Sequence, residues 1–319
     1  MRALITGITG FVGRHLARYL RQVGDEVFGI ASPRTPLEGA EMEGERIVQA
    51  DLNEPSAVVR ALEAFRPEAI YHLAAQASIP RAWEDPSRTL YNNINAQLNL
   101  FKAALALRLE PLILVVGSAD EYGRVRPEDI PVDEETPLRP VNPYAVSKLA
   151  QDYLGLQYHL SHRMHIVRVR PFNHIGPGQG LGFVVPDFCY QLARIEAGLQ
   201  PPTLRVGNLE AQRDFTDVRD IVRGYHLALT RGQAGQVYNL GSSQAWAIRD
   251  LLDRLLALST VEVRVETDPE RMRPSDVPII VSDCRRIRQE VGWEPYIPLE
   301  QSLRDTLEDW RNRIGKVRP

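Results

Sequence analysis

Between its first apolar run and its first helical run the chain reads TGITGFVGRHL, with glycines at positions 7, 10 and 13. A strand that turns into a helix through this spacing permits few folds. Gly7 allows the tight turn, Gly10 lets the backbone approach a pyrophosphate, and Gly13 lets the helix pack closely on the strand. The helix start at Phe11 and Val12 then supplies N–H donors and the positive end of a dipole to an anion. The following sequence repeats the theme. Apolar runs RALIT, EVFGIA, RIVQAD, AIYHLAA, LILVVGS and HIVRVRPFN alternate with helical stretches over about 10–23, 57–65 and 91–107 and beyond Asn142. Such alternation predicts an α/β fold, a doubly wound parallel sheet covered by helices on both faces. From residue 171 onward Pro and Gly become denser and short strands such as TLRVG and QVYNLG appear. The expected division is a Rossmann-type dinucleotide domain over 1–170, with later returns to its sheet, and a smaller, interleaved α/β lobe over 171–319.

Sheets of this kind bind ligands beyond the carboxyl ends of their strands, so the residues after each strand carry most information. The second strand ends in Ala31, Ser32 and Arg34, where a binder of NAD usually places an acid for the ribose 2′-hydroxyl. A hydroxyl and a guanidinium suit a 2′-phosphate, which favours NADP over NAD, with NAD still possible. Asp51 and Leu52 follow the third strand, in reach of an adenine. In VNPYAVSK, Asn142 can cap a helix and Pro143 fits its first turn. Tyr144 and Lys148 then share one helix face at i and i+4. Taken alone, the pair reads as a half-buried tyrosine beside a solvated lysine, and the rest of the chain must decide. Lysine is scarce here, occurring only as Lys102, Lys148 and Lys316.

Charge and composition exclude several classes. A formal net charge of −3 argues against bulk binding to nucleic acid or to an anionic membrane. No apolar run has the length of a bilayer span, and MRALITG enters a strand without room for a signal peptide, so a cytoplasmic setting is expected. Cys189 and Cys284 lack metal spacing and read as buried thiols. No metal site is expected.

TGITGFVG, HLAAQ, NINAQLNL, VGSADEYG, NPYAVSK and RPFNHIGPGQ, in this order across essentially the whole chain, resemble an extended short-chain dehydrogenase/reductase that modifies sugar nucleotides. The resemblance implies that Tyr144 exchanges the proton, that Lys148 binds the nicotinamide ribose, and that Ser118 holds the substrate oxygen. A nearby ammonium and the helix dipole are expected to make the phenol more acidic than usual. The resemblance also puts Ala74, Ala75, Phe172 and His174 near the cofactor and gives Asn95 a supporting role.

Within VGSADEYG, the acid–base pair of a 4,6-dehydratase is replaced by Ala119 and Asp120. Alanine transfers no proton, and the aspartate is one methylene shorter than glutamate. The register turns Glu121 elsewhere. The stretches RPFNHIGPGQGLGFVVPDF, GNLEAQRDFTDVRD and RMRPSDVP resemble the GDP-mannose branch of the family, in which Ser118, Asp120, Asn173, Val184, Arg213, Arg273 and Asp276 face the GDP-sugar. The implied activity is NADPH-dependent reduction of a 4-keto-6-deoxyhexose. A GDP-mannose 4,6-dehydratase, an NAD-dependent 4-epimerase and a non-catalytic redox sensor are the alternatives. The resemblance further implies a homodimer paired through a four-helix bundle, with a tetramer also open.

Overall fold

The computed structural model describes residues 1–35, 46–272 and 277–316. The strands are β1 (Arg2–Thr6), β2 (Glu26–Ala31), β3 (Arg46–Gln49), β4 (Ala69–His72), β5 (Leu112–Val116) and β6 (Ile166–Pro171). They continue with β7 (Asn173–Ile175), β8 (Thr203–Val206), β9 (Gln212–Asp217), β10 (Val237–Leu240), β11 (Ala245–Ala247), β12 (Arg264–Thr267) and β13 (Ile279–Ile280). The helices are α1 (Phe11–Gln22), α2 (Pro55–Phe65), α3 (Ile79–Glu84), α4 (Pro86–Ala106) and α5 (Pro143–His162). After them come α6 (Val184–Glu196), α7 (Val218–Arg231), α8 (Ile248–Ala257), α9 (Arg285–Val291) and α10 (Leu299–Lys316).

Seven strands form one sheet in the order β10-β6-β5-β4-β1-β2-β3, with every pairing parallel. Strands of such a sheet are covered on both faces, which is why runs like LILVV are apolar without alternation. On one face α1, α7 and α9 close a core that includes Leu16, Leu20, Ile221, Tyr225 and Ile287. On the other, α2, α4 and α5 close a second core around Leu62, Phe65, Leu100, Phe101 and Tyr158. The strand order reverses between β1 and β4, which opens the ligand crevice there.

The lobe has its own core, built from α6, α8 and α10 over β8, with Phe188, Leu192, Leu251, Leu307 and Trp310 among its members. Two small sheets support it, β11-β9-β13 with β7 added on β9, and β12-β8. The chain returns to the main sheet through α7 and β10 and to its covering layer through α9, so the two cores interleave in sequence. Cys189 lies in the lobe core and Cys284 in the main one, both buried.

Candidate active site

The glycine turn sits at the crevice. Gly7 adopts a φ of +73°, and a Cβ there would lie 3.1 Å from Ala74 N and Cα. A Cβ on Gly13 would come within 2.4 Å of the Gly7 carbonyl, so the helix can rest on the turn only without one. Gly10 caps α1 without a side-chain hydrogen bond, and the first N–H groups of a helix have no intrahelical partner. The cradle therefore fits a dinucleotide diphosphate on its own geometry. Thr6 Oγ1 accepts from Ala74 N at 3.1 Å and pairs with His72 Nδ1 at 2.9 Å, tying the ends of β1 and β4 together. Burial pushes His72 down to about 3, so it is neutral here.

The other expected cofactor residues follow strand ends. Ser32 and Arg34 are exposed after β2, with Ser32 Oγ accepting from Arg34 N at 3.2 Å. Asp51 is exposed after β3, whereas the Leu52 side chain is buried and its carbonyl accepts from Asn99 Nδ2 at 2.9 Å. Val12 packs against the main core. Phe11 stacks on His174, with ring centroids 6.2 Å apart and planes 9° from parallel. Phe172 turns into a small apolar cluster with Ala119, Tyr122 and Val132. Its main-chain N donates to Leu240 O at 2.8 Å, at the end of β10. Ala74 and Ala75 are half-buried just past β4.

The start of α5 forms as its sequence dictates. Asn142 Oδ1 accepts from Ala145 N at 2.8 Å and Pro143 occupies the first turn. One turn on, Lys148 is 4 % exposed and its Nζ donates to the carbonyl of Val116, the last residue of β5, at 2.8 Å. Ser118 follows that strand end and caps the short turn Ala119–Glu121, its Oγ accepting from Asp120 N at 3.1 Å. The Tyr144 phenol faces Ser118, whose hydroxyl favours its ionised form. Ser118, Tyr144 and Lys148 thus converge at one strand end.

One expectation needs correction. The Tyr144 phenol is not made more acidic. Burial pushes it up, as do Asp120 and Glu121, against a smaller lowering by Ser118. Burial is the largest cause; Lys148 does not offset it, its Nζ donating to Val116 O and its own ammonium being brought down by burial to about 8. The bond that ties α4 to Ser147 of α5 is made by Asn93. Fully buried two residues before Asn95, Asn93 accepts from Gln76 N at 2.7 Å and donates to Ser147 Oγ at 2.8 Å. Ser147 Oγ in turn donates to the Tyr144 carbonyl at 2.7 Å. Asn95 lies about 200° further round the helix, where these groups are out of its reach.

On the substrate side, Asn173 is exposed at the start of β7, immediately beyond β6. Asp120 Oδ2 accepts from Ser118 Oγ at 3.2 Å. Val184 opens α6 and packs on the lobe core. Arg213 is half-buried on β9, with Nη1 donating to Gln212 O at 2.8 Å. Arg273 and Asp276 lie outside the described residues. The lobe also carries a cleft of about 500 Å³ bordered by Asp187, Tyr190, Gln191, Arg205 and Arg271.

The motif reading missed His72, Asn93 and Ser147, together with a buried ionic group formed by Glu121, Asp152, Arg168 and Arg170. Asp152 had a signal available, since it continues the Tyr144–Lys148 face by one more turn. Among the described residues no cluster of His, Cys, Asp or Glu is arranged to hold a metal, and no helix is long and apolar enough to cross a membrane.

A family model described as GDP-mannose 4,6 dehydratase matches residues 4–306. The GDP-6-deoxy-D-mannose reductase of Pseudomonas aeruginosa is 39% identical over 313 residues, covering 98% of this chain and 98% of that protein. The solved structure of RMD from Pseudomonas aeruginosa complexed with NADPH superimposes with a TM-score of 0.87 at 37% identity, over 98% of this chain and 100% of that one. The UDP-glucose 4-epimerase of Thermus thermophilus in complex with NAD gives a TM-score of 0.88 at 27% identity, covering 98% of this chain and 99% of that one.

Proposed function

The chain belongs to the GDP-mannose 4,6 dehydratase family, and from that premise we propose that it is a reductase within it, converting GDP-6-deoxy-4-keto-D-mannose to GDP-D-rhamnose with NADPH. It is an NAD(P)-dependent oxidoreductase of the extended short-chain dehydrogenase/reductase type. When bound, the cofactor supplies a hydride. The glycine turn takes its diphosphate, and Ser32 and Arg34 take the 2′-phosphate. Lys148 holds the ribose beside the nicotinamide.

The chain's own residues manage the proton and the geometry. With a hydride supplied to C4 of the sugar, Tyr144 would give its proton to O4, its O–H bond breaking as the C4–O4 double bond opens. Ser118 donates a hydrogen bond to that oxygen and keeps it against the phenol. Because burial raises Tyr144, the phenol rests fully protonated, which is the form that reduction consumes. The solvent then restores its proton. Asn93 fixes α5 through Ser147, and so fixes Tyr144.

One observation favours reduction over dehydration: the turn after Ser118 offers the substrate no glutamate as a base for the C5 proton. Position 119 is alanine, position 120 is the shorter aspartate, and Glu121 is buried against the Ser118 main chain. The test follows NADPH absorbance in the presence of GDP-mannose, with and without a separate 4,6-dehydratase. Oxidation only with the dehydratase present is the expected result. Loss of GDP-mannose by the protein alone overturns it in favour of dehydration.

The same reading places the enzyme in the cytoplasm as a homodimer paired through α4 and α5. Val146, Tyr153 and Leu160, spaced by sevens along α5, are 41, 55 and 71 % exposed, and Tyr91 on α4 is 57 % exposed. Such a stripe suits helix pairing between two copies. Sedimentation of Leu160→Arg at half the parental mass is the expected outcome.

A further inference from the structure

Beneath Ser118 lies an ionic group that the proton transfer described above does not use. Glu121 is fully buried, and its Oε1 accepts from Ser118 N at 2.8 Å. A Cβ on Gly117 would stand 2.3 Å from that same oxygen, so position 117 must be glycine for the carboxyl to reach the main chain. The other oxygen, Oε2, is 3.2 Å from Arg170 Nε, but the single hydrogen of that nitrogen points to Asp152 Oδ2 at 2.8 Å. Arg168 completes the group by pairing with Asp152 Oδ1. Among the described residues, Oε2 receives no hydrogen from any other group, although it is out of contact with water. A buried carboxylate oxygen without a donor is costly. A hydrogen kept by the glutamic acid itself and directed at Asp152, which meets the same Arg170 nitrogen, would resolve the arrangement.

We propose that Glu121 is a positioning residue for the reduction: by bridging Ser118 N to Asp152 it fixes the main chain at Ser118, and with it the place of the hydroxyl that holds the ketone oxygen. Asp152 lies two turns along α5 from Tyr144 and one from Lys148, so the bridge joins the end of β5 to the helix that carries the proton donor. The groups facing it are Arg168 and Arg170 on β6, Tyr144, Lys148 and Asp152 on α5, and Asp120 and Tyr122 beside it in the chain. Burial and the neighbouring Asp152 push the Glu121 carboxyl well up, against the pull of Arg170, so it is the member of the pair that keeps its proton. Burial also pushes Asp152 up, but Arg170 and Arg168 outweigh it and hold Asp152 ionised.

The inference rests on the reductase reading, and its test separates the two. Glu121→Gln keeps an acceptor for Ser118 N and a donor for Asp152, and is expected to retain kcat and KM within a small factor. Glu121→Leu removes both, and is expected to lower kcat by about tenfold to a hundredfold, as small misplacements near reacting atoms do. In a Ser118→Ala background the same Glu121→Leu change is expected to cost nothing more, because the residue acts through that hydroxyl. Equal losses in both backgrounds, a parental kcat for Glu121→Leu, or a Gln variant as poor as the Leu variant overturns the proposal. If Glu121→Leu shows no melting transition, infrared spectroscopy near neutral pH decides. A protonated carboxyl band in the parent that disappears in Glu121→Gln supports the bridge, and no difference between the two overturns it. That band needs no turnover, so an inactive parent counts against the reductase reading and not against the bridge.

Discussion

At the carboxyl edge of the main sheet the polar side chains are anchored to main chain: Lys148 to Val116 O, Glu121 to Ser118 N, Asn93 to Gln76 N. In the lobe, Arg271 pairs with Asp187 and Asp268 at 3.9 and 3.6 Å, all three side chains being at least partly exposed, and Arg213 leans on the carbonyl beside it. Bonds to a strand end cannot shift without moving the sheet, whereas long arginine side chains reorient at little cost. The first region can therefore hold atoms at reaction distance, and the second can adapt to a nucleotide as it arrives. If that contrast is right, substitutions at the sheet edge act on kcat and substitutions in the lobe act on KM.

The strongest way to break the contrast is Tyr144→Phe. Loss of the proton donor is expected to reduce kcat by about a thousandfold, within the range typical of general acid catalysis, while NADPH affinity measured by fluorescence stays near the parental value. A correctly folded variant with undiminished turnover would remove the sheet edge from the chemistry altogether.

Lys148→Met comes next, and separates activity from stability. Its kcat is expected to fall about a hundredfold, through lost cofactor positioning. Its stability should move the other way. Burial holds the Lys148 ammonium down at about 8 in the fold, against an ordinary value of 10.5. Between those values the unfolded chain binds more protons than the folded one, so stability rises with pH across that window and the penalty is fully present at pH 7. Replacing the charge is expected to stabilise the protein at pH 7 by on the order of 2 kcal/mol, after subtracting the lost bond to Val116. The advantage should shrink as pH approaches 10. Thermal melts of both proteins at pH 7 and pH 10 measure it.

How far each region could be read in advance follows from the same contrast. The glycine turn, the Asn142 cap and the Tyr144–Lys148 face are local patterns, whose spacing is fixed by strand and helix geometry, and they stand where the sequence placed them. Asn93 was missed because several asparagines share one helix, and only the packing of α4 on α5 selects the one that reaches Ser147. The acidity of Tyr144 depends on burial and on two acids arriving from the turn after β5, which no spacing within α5 reports. Glu121 could be placed as turned away from the substrate, but its partners Asp152 and Arg170 come from α5 and β6, and only the fold brings them beneath it. In the lobe, contacts between short strands far apart in sequence decide which arginine faces the cleft.

A tenfold effect is expected at the edge of the cofactor site. Ser32 and Arg34 are both exposed, so neither stabilises the fold measurably. Arg34→Ala is expected to raise KM for NADPH by about tenfold while leaving KM for NADH unchanged, since a guanidinium on a phosphate is a charge-assisted bond and NADH lacks that phosphate. Equal effects on the two cofactors would place the 2′-phosphate elsewhere.

The smallest effect should come from the lobe. Arg213 sits on β9, between β11 and β13 in the small sheet, and in the proposed reading its guanidinium reaches the GDP diphosphate. An ion pair at such a half-exposed site contributes about 1 kcal/mol, because solvent screens it and the side chain gives up rotamer freedom. Arg213→Ala should therefore raise KM for the keto sugar nucleotide by about fivefold. It should leave kcat where it was, since in the proposed reading the ring is held over the nicotinamide by Ser118 and Tyr144 and not by the diphosphate. Added salt should weaken binding to the parent and much less to the variant. A fall in kcat at unchanged KM would instead mean that β9 sets the angle of the sugar ring, and that the lobe is as stiff, and as much a part of the chemistry, as the strand ends.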